Sequence, residues 1–307
     1  MTKKTEYPSK IMLVGEYGVI VGGSALTIPY HKFSAGIRSV NDVPAGKEKE
    51  VQRSVEYLKC LYDYIRNIPA RSFHAPPDLG LFSANLHTWW LDHNIPIGYG
   101  LGSSGAVSAA IYDMFFPGSD TLTLKQQKDD LALIESYFHG RSSGVDALTC
   151  YTGSALRFHS SGSVERIKLN LKALPGDYRF FLLNSGKRVD TGPLVGHFLE
   201  QMKDPGFKRS IEEEYLPLNQ KLIETLLGER EADPAMLVRL LSDIQLQFFR
   251  NMIPDDVVDL WIEGQVSNDY YLKLSGSGGG LMLGITHQSF REALDERWGR
   301  ELHWIEP

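Results

Sequence analysis

Apolar residues follow two rhythms along this chain. Short runs bounded by glycine, proline or polar clusters predict strands at 10–14 (KIMLV), Ala25–Pro29, Phe33–Val40, Ser154–Phe158, Val164–Leu169 and in YRFFLLNS. Longer stretches with three- and four-residue spacing predict helices. Residues 51–66 carry Val51, Val55, Leu58, Leu61, Tyr62 and Ile65 at helical spacing. Leu124–His139 reads as a second such helix, stopped by Gly140. Phe198–Leu227, Pro234–Met252 and Ser289–Trp298 are helical in the same sense. Ala106–Phe116 is apolar nearly all round and rich in small residues, which predicts a buried helix. LFSANLHTWW is compatible with either strand or helix. GEYGVIVGG suits a turn or hairpin, NDVPAGKEKE a loop, and Arg141–Asp146 a short polar turn. YLKLSGSGGGLMLGIT reads as strand, glycine loop, strand. Pro-Gly within LKALPGDY marks a boundary, so domains at 1–172 and 173–307 are expected. Strands and helices mix without a regular βαβ alternation, which predicts an α+β protein in two lobes.

The composition narrows the class. The chain has 307 residues, enough for two domains of about 150 each, with 42% hydrophobic and 23% charged residues. Its net charge is -6, and its basic spots, Lys3-Lys4 and Lys187-Arg188, are short. That argues against nucleic acid as a partner. Cys60 and Cys150 form no CxxC and are expected as reduced thiols. The apolar run Ile11–Val14 stops at Gly15-Glu16, well short of the roughly 7–15 residues of a secretory core. No run approaches the roughly 18 residues of a membrane span. A cytoplasmic protein without a membrane partner is expected.

Four segments carry chemistry. In the first, Pro96, Gly98, Gly100, Leu101, Gly102, Ser103, Ser104, Gly105 and Ala106 form a glycine loop entering a small-residue helix. Backbone N–H groups there can approach an anion closely, and the helix N-terminus favours negative charge. No Lys-Ser/Thr follows the glycines, so it is not a Walker A loop. It does contain a literal GxGxxG, but Asn94–Ile97 is a poor strand and Asp120 sits in a turn, which argues against a dinucleotide site. The second segment holds Glu135, His139 and Asp146; Glu135 and His139 can share a helix face. Two carboxylates converging from different elements suit a metal ligand and a base. The third is Lys273–Gly280, a glycine loop between strands that can pack against the first. The fourth is Pro8–Gly18, where Lys10 opens an apolar strand. Taken singly, each segment has an ordinary structural explanation: a glycine turn, a solvated Glu, a turn Asp, an exposed Lys.

Together and in this order they resemble the three motifs of the GHMP kinases: Pro8–Gly18 (with Ser9 where glycine is common), Pro96–Ala106 and Lys273–Gly280. Within that family the His139–Asp146 run, HGRSSGVD, resembles the mevalonate kinases. The resemblance implies a two-lobed fold, with a ribosomal protein S5 domain 2-like N-terminal lobe and a ferredoxin-like C-terminal lobe. It implies ATP and Mg2+ as cofactors and a small-molecule alcohol as substrate, mevalonate first. Ser104 and Glu135 are then the Mg2+ ligands, and Asp146 and Lys10 the catalytic pair at the substrate hydroxyl. Residues 96, 98 and 100–106 line the nucleotide. Glu16, Tyr17, His139, Ser143, Gly144, Thr191, Gly276 and Ser277 face the substrate. Tyr17 departs from the histidine usual in mevalonate kinases. A phosphomevalonate kinase, with Arg141 and Lys187-Arg188 as extra cations, and a sugar kinase are the nearest alternatives. A catalytically silent binding protein of the same fold is a further one. The resemblance also leaves a homodimer open.

Overall fold

The structure is a computed structural model that describes residues 6–188 and 191–305, Ala173 and Thr191 by their backbone alone. The N-terminal half contains β1 (Tyr7–Val14), β2 (Ala25–Ser39), α1 (Glu48–Arg66), α2 (Leu79–Asn85), β3 (Trp89–His93), α3 (Ser103–Phe115), α4 (Leu124–His139), α5 (Val145–Thr152), β4 (Leu156–Phe158) and β5 (Val164–Arg166). Its sheet runs β1-β2-β4-β5, with β3 added to the far end of β2, and every pairing is antiparallel. All eight residues of β1 are buried. Helices α3 and α5 cover this strand.

The C-terminal half contains β6 (Tyr178–Asn184), α6 (Thr191–Gln201), α7 (Pro205–Ser210), a π-turn (Ile211–Tyr215), α8 (Leu216–Leu226), α9 (Pro234–Phe248), α10 (Asp255–Ser267), β7 (Tyr270–Leu274), β8 (Leu281–His287), α11 (Arg291–Trp298) and β9 (Leu302–Trp304). Its four strands lie in the order β7-β8-β6-β9. With helices between β6 and β7 and between β8 and β9, this is the βαββαβ arrangement of the ferredoxin-like fold. The mixed, two-lobed fold is therefore as expected. Helix α8 also reaches back to β1 and β2, so the halves share packed surface beside the first motif.

Helix α4 is held at both ends and in its middle. Thr123 and Gln126 close a capping box at its start, and Gly140 ends it at φ 73°. Asp130, fully buried in the helix, accepts from the N–H groups of His74 (2.7 Å) and Ala75 (2.9 Å) and from the Tyr112 hydroxyl (2.9 Å). Three donors satisfy this carboxylate and fix the rotation of α4 against α3. That rotation also fixes where Glu135 points.

Several elements differ from the sequence expectation. Ala25–Pro29 and Phe33–Ser39 belong to one strand, with Val40 starting a 3-10 turn after it; the polar stretch between them emerges from the core while its pairing with β1 shifts register at Pro8/Ser9. LFSANLHTWW is both things in turn, the end of α2 and the start of β3. The turn expected over Arg141–Asp146 stops at Gly144, and Asp146 lies in the first turn of α5. The helix expected over Phe198–Leu227 is broken where Asp204 caps and Pro205 starts α7. Helix α10 and strand β9 have no counterpart among the expected elements. The first has a legible signal in Val257, Trp261 and Gly264, its buried face; the second is only three residues long.

Candidate active site

Three chain segments meet at Lys10. Its backbone N–H donates to the Leu101 carbonyl (3.0 Å), which seats β1 against the glycine loop. Its side chain is 1% exposed, and Nζ lies 2.9 Å from Asp146 Oδ2. The ordinary expectation of an exposed lysine fails because the strand is covered on both sides. A buried ammonium is tolerable only when paired, and Asp146 supplies the pair. Asp146 keeps 30% of its side chain exposed, so it faces both the lysine and the cleft. It lies in the first turn of α5, where the helix N-terminus faces it.

The glycine loop is built on unusual backbone. Gly98, Gly100 and Gly102 have φ of 82°, 74° and 70°. Gly102 caps α3 without a side-chain hydrogen bond, so the first N–H groups of the helix remain available to an anion. A Cβ on Gly102 would stand 2.8 Å from Lys10 Cγ, while one on Gly100 would strike the Ser275 carbonyl. Gly280 approaches the Tyr99 backbone in the same way. The third glycine loop thus packs backbone to backbone on the first, as the sequence suggested. Gly102→Ala is expected to displace Lys10 and strain the loop, lowering kcat at least about tenfold. Steady-state kinetics alongside a thermal melt checks this; wild-type kcat in a folded variant would contradict it.

Glu135 is 3% exposed and accepts from Ser104 Oγ (3.1 Å) and Ser142 Oγ (2.5 Å). His139 Nε2 lies 3.0 Å from the same Ser104 oxygen. Burial, and then the charge of Asp146, push the Glu135 carboxyl up to about 7. Burial lowers the His139 imidazole below its usual value, with Asp146 opposing. Two carboxylates held near one another are easier to ionise with a cation between them. The oxygen donors of Ser104 and Glu135 suit Mg2+, which takes one or two protein carboxylates and fills its remaining positions from phosphates and water. Among the described residues no cluster of three His, Cys, Asp or Glu side chains could hold a metal by itself.

These groups open on a cleft of about 840 Å³. Lys10, Glu16, Tyr17, Pro96, Gly98, residues 100–104, Glu135, His139, Ser143, Asp146, Gly276 and Ser277 all line it. Gly105, Ala106 and Gly144, expected at ligands, are not among its lining residues. Gly105 lets α3 approach the backbone of Ala147, where a Cβ would stand 2.9 Å from the Ala147 nitrogen. Ala106 is fully buried. Gly144, at φ 73°, packs on the Lys128 carbonyl as the N-cap of α5. Thr191 begins α6, but its side chain lies outside the described residues.

Glu16 and Tyr17 are less free than a substrate contact would require. Lys273 Nζ donates to Glu16 Oε1 at 2.6 Å, with both side chains fully buried. Breaking such a pair from one side costs about 3–5 kcal/mol. The Tyr17 hydroxyl donates to the Ser277 carbonyl (2.5 Å), and its ring packs between Phe198 and Phe249 at centroid distances of 5.0 and 5.2 Å. Sequence reading misses Ser142, although it stands inside the HGRSSGVD run. It also misses the apolar wall of Val19, Ile20, Val195 and Leu199, which no local pattern distinguishes from core.

Known proteins resemble this chain in part of its sequence and in its fold. Residues 57–154 match the family model for the GHMP kinases N terminal domain. No curated protein matches the sequence. Among solved structures, mevalonate kinase of L. major in complex with R-mevalonate is similar over 100% of this chain and 97% of its own, at 16% identity and a TM-score of 0.62. Lactococcus lactis galactokinase complexed with galactose is similar over 98% of this chain and 92% of its own, at 15% identity and a TM-score of 0.65. Streptococcus pneumoniae phosphomevalonate kinase in complex with phosphomevalonate and AMPPNP is similar over 98% and 99%, at 15% identity and a TM-score of 0.62. No helix of the described residues is long and apolar enough to cross a membrane.

Proposed function

We propose that this chain, whose residues 57–154 match the GHMP kinase N-terminal domain and whose fold is that of the mevalonate kinases, transfers the γ-phosphoryl group of ATP to a small-molecule alcohol. Mevalonate is the first-choice acceptor, giving 5-phosphomevalonate. The observation that carries the reading is the ion pair of Lys10 and Asp146, 2.9 Å long, beside a helix N-terminus in an open cleft.

In this reading the N–H groups opening α3, with Gly98, Gly100 and Gly102, hold the nucleotide phosphates. Ser104 and Glu135 would hold Mg2+, which when bound supplies positive charge against the phosphate oxygens. Asp146 orients the acceptor hydroxyl and takes its proton as the new O–P bond forms and the bond to the ADP oxygen breaks. Lys10 holds the Asp146 carboxylate in place through their ion pair and offers charge to the group in transfer. Little else is asked of the protein, because positioning and charge dominate phosphoryl transfer. The lobes of this enzyme would divide at 172/173.

A second acceptor class has its own support. Arg141 and Lys128 line the cleft beside Ser143, and Lys128 Nζ lies 3.3 Å from the Ser143 carbonyl. Such cations would suit an acceptor that is already phosphorylated. Lys187, the other cation expected there, pairs with Asp256 at 2.8 Å and does not line the cleft. ADP release measured with mevalonate, phosphomevalonate, homoserine and hexoses separates the readings. Turnover is expected with mevalonate; preference for phosphomevalonate would move the assignment to the second class. No release with any of the four would overturn the kinase reading.

A further inference from the structure

We propose that Lys273, Gln245 and Tyr215, none of them among the cleft-lining residues, are positioning residues for phosphoryl transfer, an inference that rests on the kinase reading above. With Glu16 they close a buried polar ring. Lys273 Nζ donates to Glu16 Oε1 (2.6 Å) and to the Leu274 carbonyl (2.7 Å). The Leu274 N–H donates to Gln245 Oε1 (2.8 Å), and Gln245 Nε2 donates to the Tyr215 hydroxyl (3.2 Å). That hydroxyl donates to the Glu16 carbonyl (2.8 Å), which completes the circuit. The ring joins the turn after β1, the π-turn, α9 and β7. Every one of its four side chains belongs to a residue at most 1% exposed.

Its placement gives it a task beyond cohesion. Lys273 and Leu274 lead directly into Ser275 and Gly276, the backbone that meets Gly100. Glu16 is followed by Tyr17, which holds the Ser277 carbonyl from the other side. Tyr17 does so at φ 58°, a conformation unfavourable for a non-glycine residue and kept only where the surroundings impose it. The first and third motifs are therefore clamped at two points, one on each side of Gly276. The positive charge of Lys10 also reaches both Glu16 and Lys273, so the ring shares a field with the catalytic pair.

Stability alone does not account for this arrangement. A buried ion pair is often no more stabilising than well-packed apolar residues of the same volume. Here one carboxylate oxygen, Glu16 Oε2, also has no hydrogen-bond partner among the described residues. What the ring supplies that apolar packing would not is directional register between the two motifs.

Tyr215→Phe and Lys273→Met test this, each assayed well below its own melting temperature. Tyr215→Phe keeps the ring volume and removes the two hydrogen bonds of its hydroxyl, to Gln245 and to the Glu16 carbonyl. It is expected to lower kcat about tenfold while leaving KM for ATP within about twofold, because a small misplacement in a positioned site acts on turnover. Lys273→Met is expected to do the same more strongly and to melt earlier. Should Lys273→Met not fold, Tyr215→Phe decides alone. A lowered melting temperature with wild-type kcat in Tyr215→Phe would overturn the proposal and leave the ring as cohesion only. A wild-type protein that releases no ADP with any acceptor would instead overturn the kinase reading, and this inference with it.

Discussion

Asp146→Asn is expected to lower kcat by at least about 10²-fold while ATP binding changes little. The substitution preserves shape and removes the charge that faces Lys10 at 2.9 Å. An alcohol is a weak nucleophile, and its proton must leave as the phosphoryl group arrives. Lys10→Met should also lower kcat, and it leaves Asp146 without the partner that stabilises its charge. The double variant should lose less than the product of the two single losses, because residues acting as a unit are not additive. The contrasting expectation treats Asp146 as a first-turn acid of α5 and nothing more. In that case the Asn variant would lose stability, because Lys10 is left buried without its pair, and keep its kcat. Calorimetric ATP binding together with steady-state rates distinguishes the two.

The second large effect has opposite signs in the two states of the site. Glu135→Gln should raise the Mg2+ concentration needed for half-maximal rate about 10–100-fold, the range seen when support for a metal site is lost. In the metal-free protein the same change should be stabilising at alkaline pH. Burial holds the Glu135 carboxyl up at about 7, above its unfolded value of 4.5. Below the unfolded value both states carry the proton and no penalty arises. Between the two values the unfolded chain releases its proton while the folded one keeps it, so stability falls as pH rises. The loss should reach up to about 3 kcal/mol near neutrality and then level off. Thermal melts in EDTA from about pH 4 to about pH 8 should show a steeper fall in wild type than in the Gln variant, in which only other buried groups such as Glu16 still contribute. An unchanged Mg2+ titration with wild-type turnover would sink the metal assignment.

Much of the site was legible because its parts are short and chemically unusual. Gly98, Gly100 and Gly102 announce left-handed backbone, and all three adopt it. Glu135, His139 and Asp146 stand close in sequence, so one helix and one turn bring them together. What stayed hidden depends on partners far along the chain. Lys273 and Glu16 are 257 residues apart, and nothing local to either indicates a buried pair. Gln245 and Tyr215 sit on helices whose periodicity marks them as core and gives no sign of a polar ring. Asp146 reads as a turn residue because α5 is only eight residues long, too short for a helical period to stand out in the sequence. The burial of Lys10 follows from helices covering β1, which the strand's own sequence does not show.

The kinase reading stands or falls on one product. The purified chain, given Mg2+, ATP and mevalonate, should yield ADP and a single new phosphomonoester resonance in a 31P NMR spectrum, and the Asp146→Asn protein should yield almost none in the same time. ATP left intact, or split to inorganic phosphate with no ester formed from any of the four acceptors, would contradict it.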